Sequence, residues 1–154
     1  MVSSGVAALD PLLGDGYPDK STILVVGPPG IGKEALGYWF THSGLIQGDF
    51  LYVTRLSVKE VLQDEKGFGI DTQQKVPLWF ASQGGQMKYD VNDLAGHSQN
   101  IKETLKQNAG GRVRIVIDAV SSLLMLNQPE TIYRFLTQLF YRRQTARRRA
   151  TCNT

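Results

Sequence analysis

Apolar runs and amphipathic stripes alternate along this chain of 154 residues. Residues 3–18 are broken by Gly5, Pro11, Gly14, Gly16 and Pro18 and read as loop. The run Ile23-Leu24-Val25-Val26 predicts a strand over Thr22–Val26, and a helix pattern follows from Lys33 to Ser43, ending near Gly44. Phe50–Thr54 predicts a second strand, and Val58–Lys66 a helix stopped by Gly67 and Gly69. Pro77–Ala81 predicts a third, short strand, followed by a glycine-containing polar loop over Gln83–Lys88. The stripe Leu94, Ser98, Ile101 and Leu105 predicts a longer helix over Val91–Asn108, capped by Asp90 or Asn92 and ended by Gly110 and Gly111. Arg114–Asp118 predicts a buried strand with a polar tip. Pro129 then opens a helix whose stripe is Ile132, Phe135, Leu136, Leu139 and Phe140. Alternation of strands and helices predicts an α/β fold with a mostly parallel sheet.

Between the first strand and the first helix the chain reads Gly27-Pro28-Pro29-Gly30-Ile31-Gly32-Lys33. This is the spacing of a phosphate-binding loop. Gly30 and Gly32 can take backbone angles closed to other residues, so successive N–H groups can turn inward around an anion. The positive end of the following helix adds to that field, and Lys33 would reach the outer phosphates as a point charge. The alternative, an ordinary Gly/Pro turn, fits the full spacing in this context poorly. The next residue is Glu34, where the pattern wants a Ser or Thr hydroxyl for magnesium. Glu34 can offer a carboxylate to the metal instead, but it brings negative charge close to the phosphates.

Ile115-Val116-Ile117-Asp118 supplies a second signal. In a parallel sheet, residues at the carboxyl end of a strand face the ligand crevice, and one aspartate there can hold phosphate-bridging magnesium. The candidate site is therefore Gly27, Pro28, Pro29, Gly30, Ile31, Gly32, Lys33 and Glu34 for nucleotide, with Asp118 and Glu34 on the metal side. No Asn-Lys-x-Asp segment is present to select guanine, so ATP or ADP is the expected ligand, with Mg2+ as its companion.

Composition narrows the partners. The hydrophobic content of 42% and charged content of 20% describe an ordinary globular protein. No apolar run reaches the roughly 18 residues of a membrane span, and the first residues lack the pattern of a signal peptide, so no membrane partner is expected. Cys152 is the sole cysteine, which fits a reducing cytoplasm. The net charge is +3, but five of the 17 basic residues are arginines at positions 142, 143, 147, 148 and 149. The rest of the chain carries 12 basic against 14 acidic residues. An acidic body with a basic end argues against nucleic acid as a partner; such ends are usually solvated and disordered. His42 and His97 lack neighbours at metal-ligand spacing. The expected organisation is a nucleotide-binding domain over 1–141 and a basic, disordered tail over 142–154.

Three motifs in order, Ser4-Gly5-x3-Leu9-Asp10-x-Leu12-Leu13-Gly14-x-Gly16-x-Pro18, the loop, and Arg114-Ile115-Val116-Ile117-Asp118-x2-Ser121-Ser122-Leu123, resemble the KaiC-like branch of the RecA superfamily of P-loop ATPases. The likeness runs from Ser3 to about Phe140. It implies a three-layer RecA-like core, a bacterial or archaeal cytoplasmic protein, and a ring, often hexameric, with nucleotide at the subunit junctions. It also implies one or two glutamates just after the second strand, to activate the attacking water. Here that stretch reads Tyr52-Val53-Thr54-Arg55-Leu56-Ser57, with no carboxylate before Glu60. Losing such a base costs hydrolysis about a hundred- to ten-thousand-fold. In the resembled fold a later strand also lies between the aspartate strand and the loop strand. After Phe140 no apolar strand follows, so the sheet is expected to be incomplete at its C-terminus. A truncated or frame-altered chain accounts for that better than completion by a partner or a rearranged sheet. The expected function is ATP binding with weak or absent hydrolysis, in a regulatory or scaffold nucleotide sensor. An active RecA-type ATPase and a RecA-like DNA-binding recombinase paralogue are the alternatives.

Overall fold

The structure is a computed structural model, and it describes residues 1–45, 50–54, 58–70, 78–80, 93–107, 113–118 and 120–150. Its elements are a 3-10 turn at Asp10–Leu13, α1 (Glu34–Leu45), β1 (Phe50–Thr54), α2 (Val58–Gly67), β2 (Leu78–Phe80), α3 (Leu94–Gln107), β3 (Arg114–Ile117), α4 (Val120–Leu126) and α5 (Pro129–Ala150). The described strands form one sheet in the order β2-β1-β3. Both pairings are parallel, with Tyr52 opposite Leu78 and Val116, and Val53 opposite Trp79 and Ile117. Parallel neighbours need crossovers, and the intervening helices supply them.

Alternation along β3 decides what packs where. Ile115 and Ile117 meet a cluster built on Ile101 of α3 and Leu139 of α5, with Phe140 beside them. Arg114, one position out of phase, turns to α1, where it bonds the carbonyl of Phe40. The α5 stripe does what its spacing predicts: Ile132, Phe135 and Leu139 are buried. Burial of each such side chain contributes about 1.5–3 kcal/mol. On the other side of α1, Tyr38 is buried, its hydroxyl donating to Asp64 of α2 at 3.3 Å and its ring 6.0 Å from that of Phe68.

Several boundaries move for local reasons. Helix α1 runs through Gly44 to Leu45 instead of stopping there. Helix α2 ends as its glycines predict: Gly69 is left-handed at φ 72°, its N–H bonding Lys66 and that of Ile70 bonding Glu65. The cap of α3 is Asp93, whose Oδ1 accepts the N–H of Gly96 at 2.8 Å; Asp90 and Asn92 lie outside the described residues. Ser121 and Ser122 belong to α4, a helix the sequence pattern does not announce. The loop Gln83–Lys88 and Arg55–Ser57 also lie outside the described residues. Helix α5 carries the backbone on to Ala150, beyond the end of its apolar stripe.

The main correction concerns Thr22–Val26. These residues form no strand. Ile23, Leu24, Val25 and Val26 are between 42% and 82% exposed. An apolar run becomes a strand only when a neighbour accepts its ladder of hydrogen bonds, and no described strand pairs with this one.

Candidate phosphate-binding loop

The loop rises directly out of this unpaired segment and ends where α1 begins. Gly30 and Gly32 both take positive φ, 79° and 75°. A Cβ at either position would have no atom within 4 Å, so the loop is open on the side those residues present. Gly27 differs: a Cβ there would meet Cδ1 of Ile31, which folds over it. Among the described residues, none accepts a backbone hydrogen bond from the N–H groups of Gly30, Ile31, Gly32 or Lys33. Alternating left-handed glycines are the backbone geometry from which anion-binding nests are built, and the first turn of a following helix adds its dipole.

The loop's one ammonium is already engaged. Lys33 Nζ donates to the carbonyl of Pro28 at 3.2 Å and stands 3.7 Å from Oε1 of Glu34. Glu34 is the first residue of α1 and exposed. Asp118 stands one position past the Val53–Ile117 pair, at the carboxyl end of β3, with its Oδ1 buried. Gly27–Lys33 thus form one loop that runs into Glu34 at the start of α1, and Asp118 follows β3, which packs against α1. His42 lies on α1 and His97, buried, on α3. Among the described residues no group of three His, Cys, Asp or Glu is arranged to hold a metal.

Sequence reasoning gave the N-terminal signature no physical role, and the structure supplies one. Asp10 accepts the hydroxyls of Ser3 at 2.6 Å and Ser4 at 2.5 Å, and the N–H of Ser4 at 2.8 Å. The Ser3 hydroxyl, then the Ser4 hydroxyl and amide, hold the Asp10 carboxyl below its ordinary range. Gly14 ends the 3-10 turn in the left-handed region, and Gly16 passes tightly against the Val2 carbonyl beside the Val2–Tyr17 bridge. Burial, then the charge of Asp10, raises the Tyr17 hydroxyl. Gly5, at φ 86°, lets the chain close on α1 at the carbonyl of Trp39. Arg114 completes the clasp by donating to the carbonyls of Ser3 at 3.2 Å and Phe40 at 2.9 Å. The signature therefore fastens the N-terminal segment to the helix behind the loop and to the strand that leads to Asp118. Two serines six and seven residues before an aspartate were the available signal.

With loop, helix and strand placed, the comparisons bear directly on the chain. The family model described as "ATPase: KaiC" matches residues 2–150. The chain belongs to the KaiC ATPase family. Its relatives include a UPF0273 protein of Pyrobaculum aerophilum, 31% identical over 140 residues, which cover 80% of this chain and 49% of that protein. A UPF0273 protein of Methanopyrus kandleri is 32% identical over 154 residues, 90% of this chain and 60% of the relative. A circadian clock protein KaiC3 of Synechocystis is 26% identical over 141 residues, 87% of this chain and 26% of the relative. The chain spans about half the length of the first UPF0273 relatives it matches. Among the described residues no helix is long and apolar enough to cross a membrane.

KaiC-like ATPases generally bind ATP with Mg2+, and the RecA-like P-loop fold follows from membership. The donors present fit magnesium. It takes one or two carboxylates with phosphate oxygens and keeps several waters, so a three-ligand protein cluster is not required. Glu34 is 44% exposed and free to turn from Lys33 toward a bound cation. Magnesium held by Glu34 and Asp118 would neutralise part of the phosphate charge.

Proposed function

We propose that this chain binds ATP or ADP in the loop Gly27–Lys33, hydrolyses it slowly or not at all, and serves as a regulatory or scaffold nucleotide sensor. The observation that carries the reading is the pair of left-handed glycines, Gly30 and Gly32, with open space on the side they present, Lys33 beside them and α1 following. Glu34 and Asp118 hold the Mg2+ that accompanies the nucleotide. The core is three-layered and RecA-like, in keeping with α1 on one face of β3 and α3 with α5 on the other. Rings with nucleotide at the subunit junctions, in the cytoplasm, are the assembly that family membership favours.

Slow hydrolysis rests on two absences in the sequence, the hydroxyl at position 34 and a carboxylate between Tyr52 and Ser57. Glu60 is the next carboxylate, an exposed residue in the first turn of α2. A general base must stand within about 3 Å of the water it polarises, or act through one further water. Measuring nucleotide binding and phosphate release on one preparation tests the reading. Binding without release supports it. Turnover abolished by Lys33→Ala establishes an active ATPase instead.

A further inference from the structure

Glu34 is the residue at which this loop departs from the motif, and the structure pairs it with the loop's own lysine. Its carboxylate lies 3.7 Å from Lys33 Nζ, the charge that a polyphosphate must recruit. The same ammonium donates to the Pro28 carbonyl, so Lys33 is folded back over its own loop. A metal-free polyphosphate entering the loop must take Lys33 from Glu34. It then leaves that carboxylate beside several phosphate charges, without the ammonium it now faces. A polyphosphate that arrives with a divalent cation meets a different site. The cation is a hard acid that accepts carboxylate oxygen, so Glu34 changes from a repelling neighbour into a ligand.

We propose that Glu34 makes the loop selective for metal-loaded over metal-free polyphosphate. The inference rests on the nucleotide-binding reading and deepens it. A Ser or Thr at this position assists the metal but does not repel the bare anion. A carboxylate does both, so the metal-loaded form is favoured. The Glu34 side chain is 44% and that of Lys33 27% exposed, so solvent moderates the effect and the discrimination is graded. Charges at about 4 Å that are partly screened alter affinity by roughly tenfold.

The test is calorimetric titration of ATP into the whole chain and into Glu34→Gln, each in EDTA and in excess Mg2+. Glutamine keeps the length and removes the charge at an exposed position, and a thermal melt of each protein verifies folding. The wild-type chain is expected to bind ATP about tenfold more weakly in EDTA than in Mg2+. Glu34→Gln is expected to bind metal-free ATP about tenfold more tightly than wild type and to respond little to Mg2+. Glu60→Gln, an exposed change elsewhere, is expected to keep the wild-type ratio. A wild-type affinity equal in EDTA and Mg2+, or a Glu34→Gln ratio equal to wild type, overturns the inference and leaves nucleotide binding standing. No binding by either protein in either buffer overturns both.

Discussion

The guanidinium of Arg114 donates a 2.9 Å hydrogen bond to the carbonyl of Phe40 and lies 4.7 Å over the centre of that residue's ring. Arg114 begins the strand that ends beside Asp118, and Phe40 lies on the helix that carries the phosphate loop. One buried side chain thus couples the two elements of the candidate site, and its second bond, to Ser3, brings in the N-terminal segment. The relation is structural: it ties β3, which leads to Asp118, to α1, which follows the loop.

Arg114→Leu is expected to destabilise the chain by about 2–4 kcal/mol, because it leaves two carbonyls without their charged donor. Arg114→Lys should recover only part of this, since an ammonium lacks the planar guanidinium that stacks on Phe40 while one of its nitrogens bonds both carbonyls. Urea unfolding of the three proteins measures it. Equal midpoints would remove Arg114 from the account.

Asp10 gives the clasp a pH dependence of definite sign. Its carboxyl is held below its ordinary range by the Ser3 and Ser4 donors. Its stabilisation is therefore present above the unfolded value of about 3.8 and is lost as pH falls through the lower folded value. Asp10→Asn should be less stable than wild type at pH 7, and the gap should narrow once pH falls below about 4. Denaturation midpoints between pH 7 and pH 3 measure this. A gap that widens on acidification would contradict the assignment.

The glycines of the signature are not equivalent. Gly5→Ala would add a Cβ into the carbonyl of Trp39 at a left-handed position, whereas Gly14→Ala meets nothing within 4 Å. The first is expected to cost upwards of about 3 kcal/mol and the second about 1 kcal/mol, the penalty of the left-handed angle alone. Thermal melts of the two variants rank them, and a larger loss for Gly14→Ala would refute the close approach.

Leu24 and Val26 test the unpaired segment. Both side chains are largely exposed, so Leu24→Thr together with Val26→Thr should change stability by no more than about 0.5 kcal/mol. A loss of several kcal/mol in the isolated chain would mean that Ile23–Val26 is packed in a sheet.

These residues also mark what sequence could reveal. The loop, β1, β3 and the α5 stripe are local: spacing and period belong to the segment itself. Ile23–Val26 has the composition of a strand, but strand formation also depends on a neighbour, and composition does not carry that information. The cap at Asp93 lies one position after Asn92 and three after Asp90, an ordinary ambiguity among neighbouring Asp and Asn. The clasp of Ser3, Asp10, Phe40 and Arg114 was hidden for a different reason. Its members are far apart in sequence, and an arginine at the start of an apolar strand reads as a polar edge until α1 is placed over it.

The most direct test of the central claim is equilibrium binding of ATP to wild type and Lys33→Ala in excess Mg2+, with folding of both checked by thermal melting. The account predicts saturable binding by wild type and at least a tenfold loss in the folded variant, the cost of removing a charge-assisted contact of about 1.4 kcal/mol or more. A folded Lys33→Ala protein that binds ATP as tightly as wild type would contradict it.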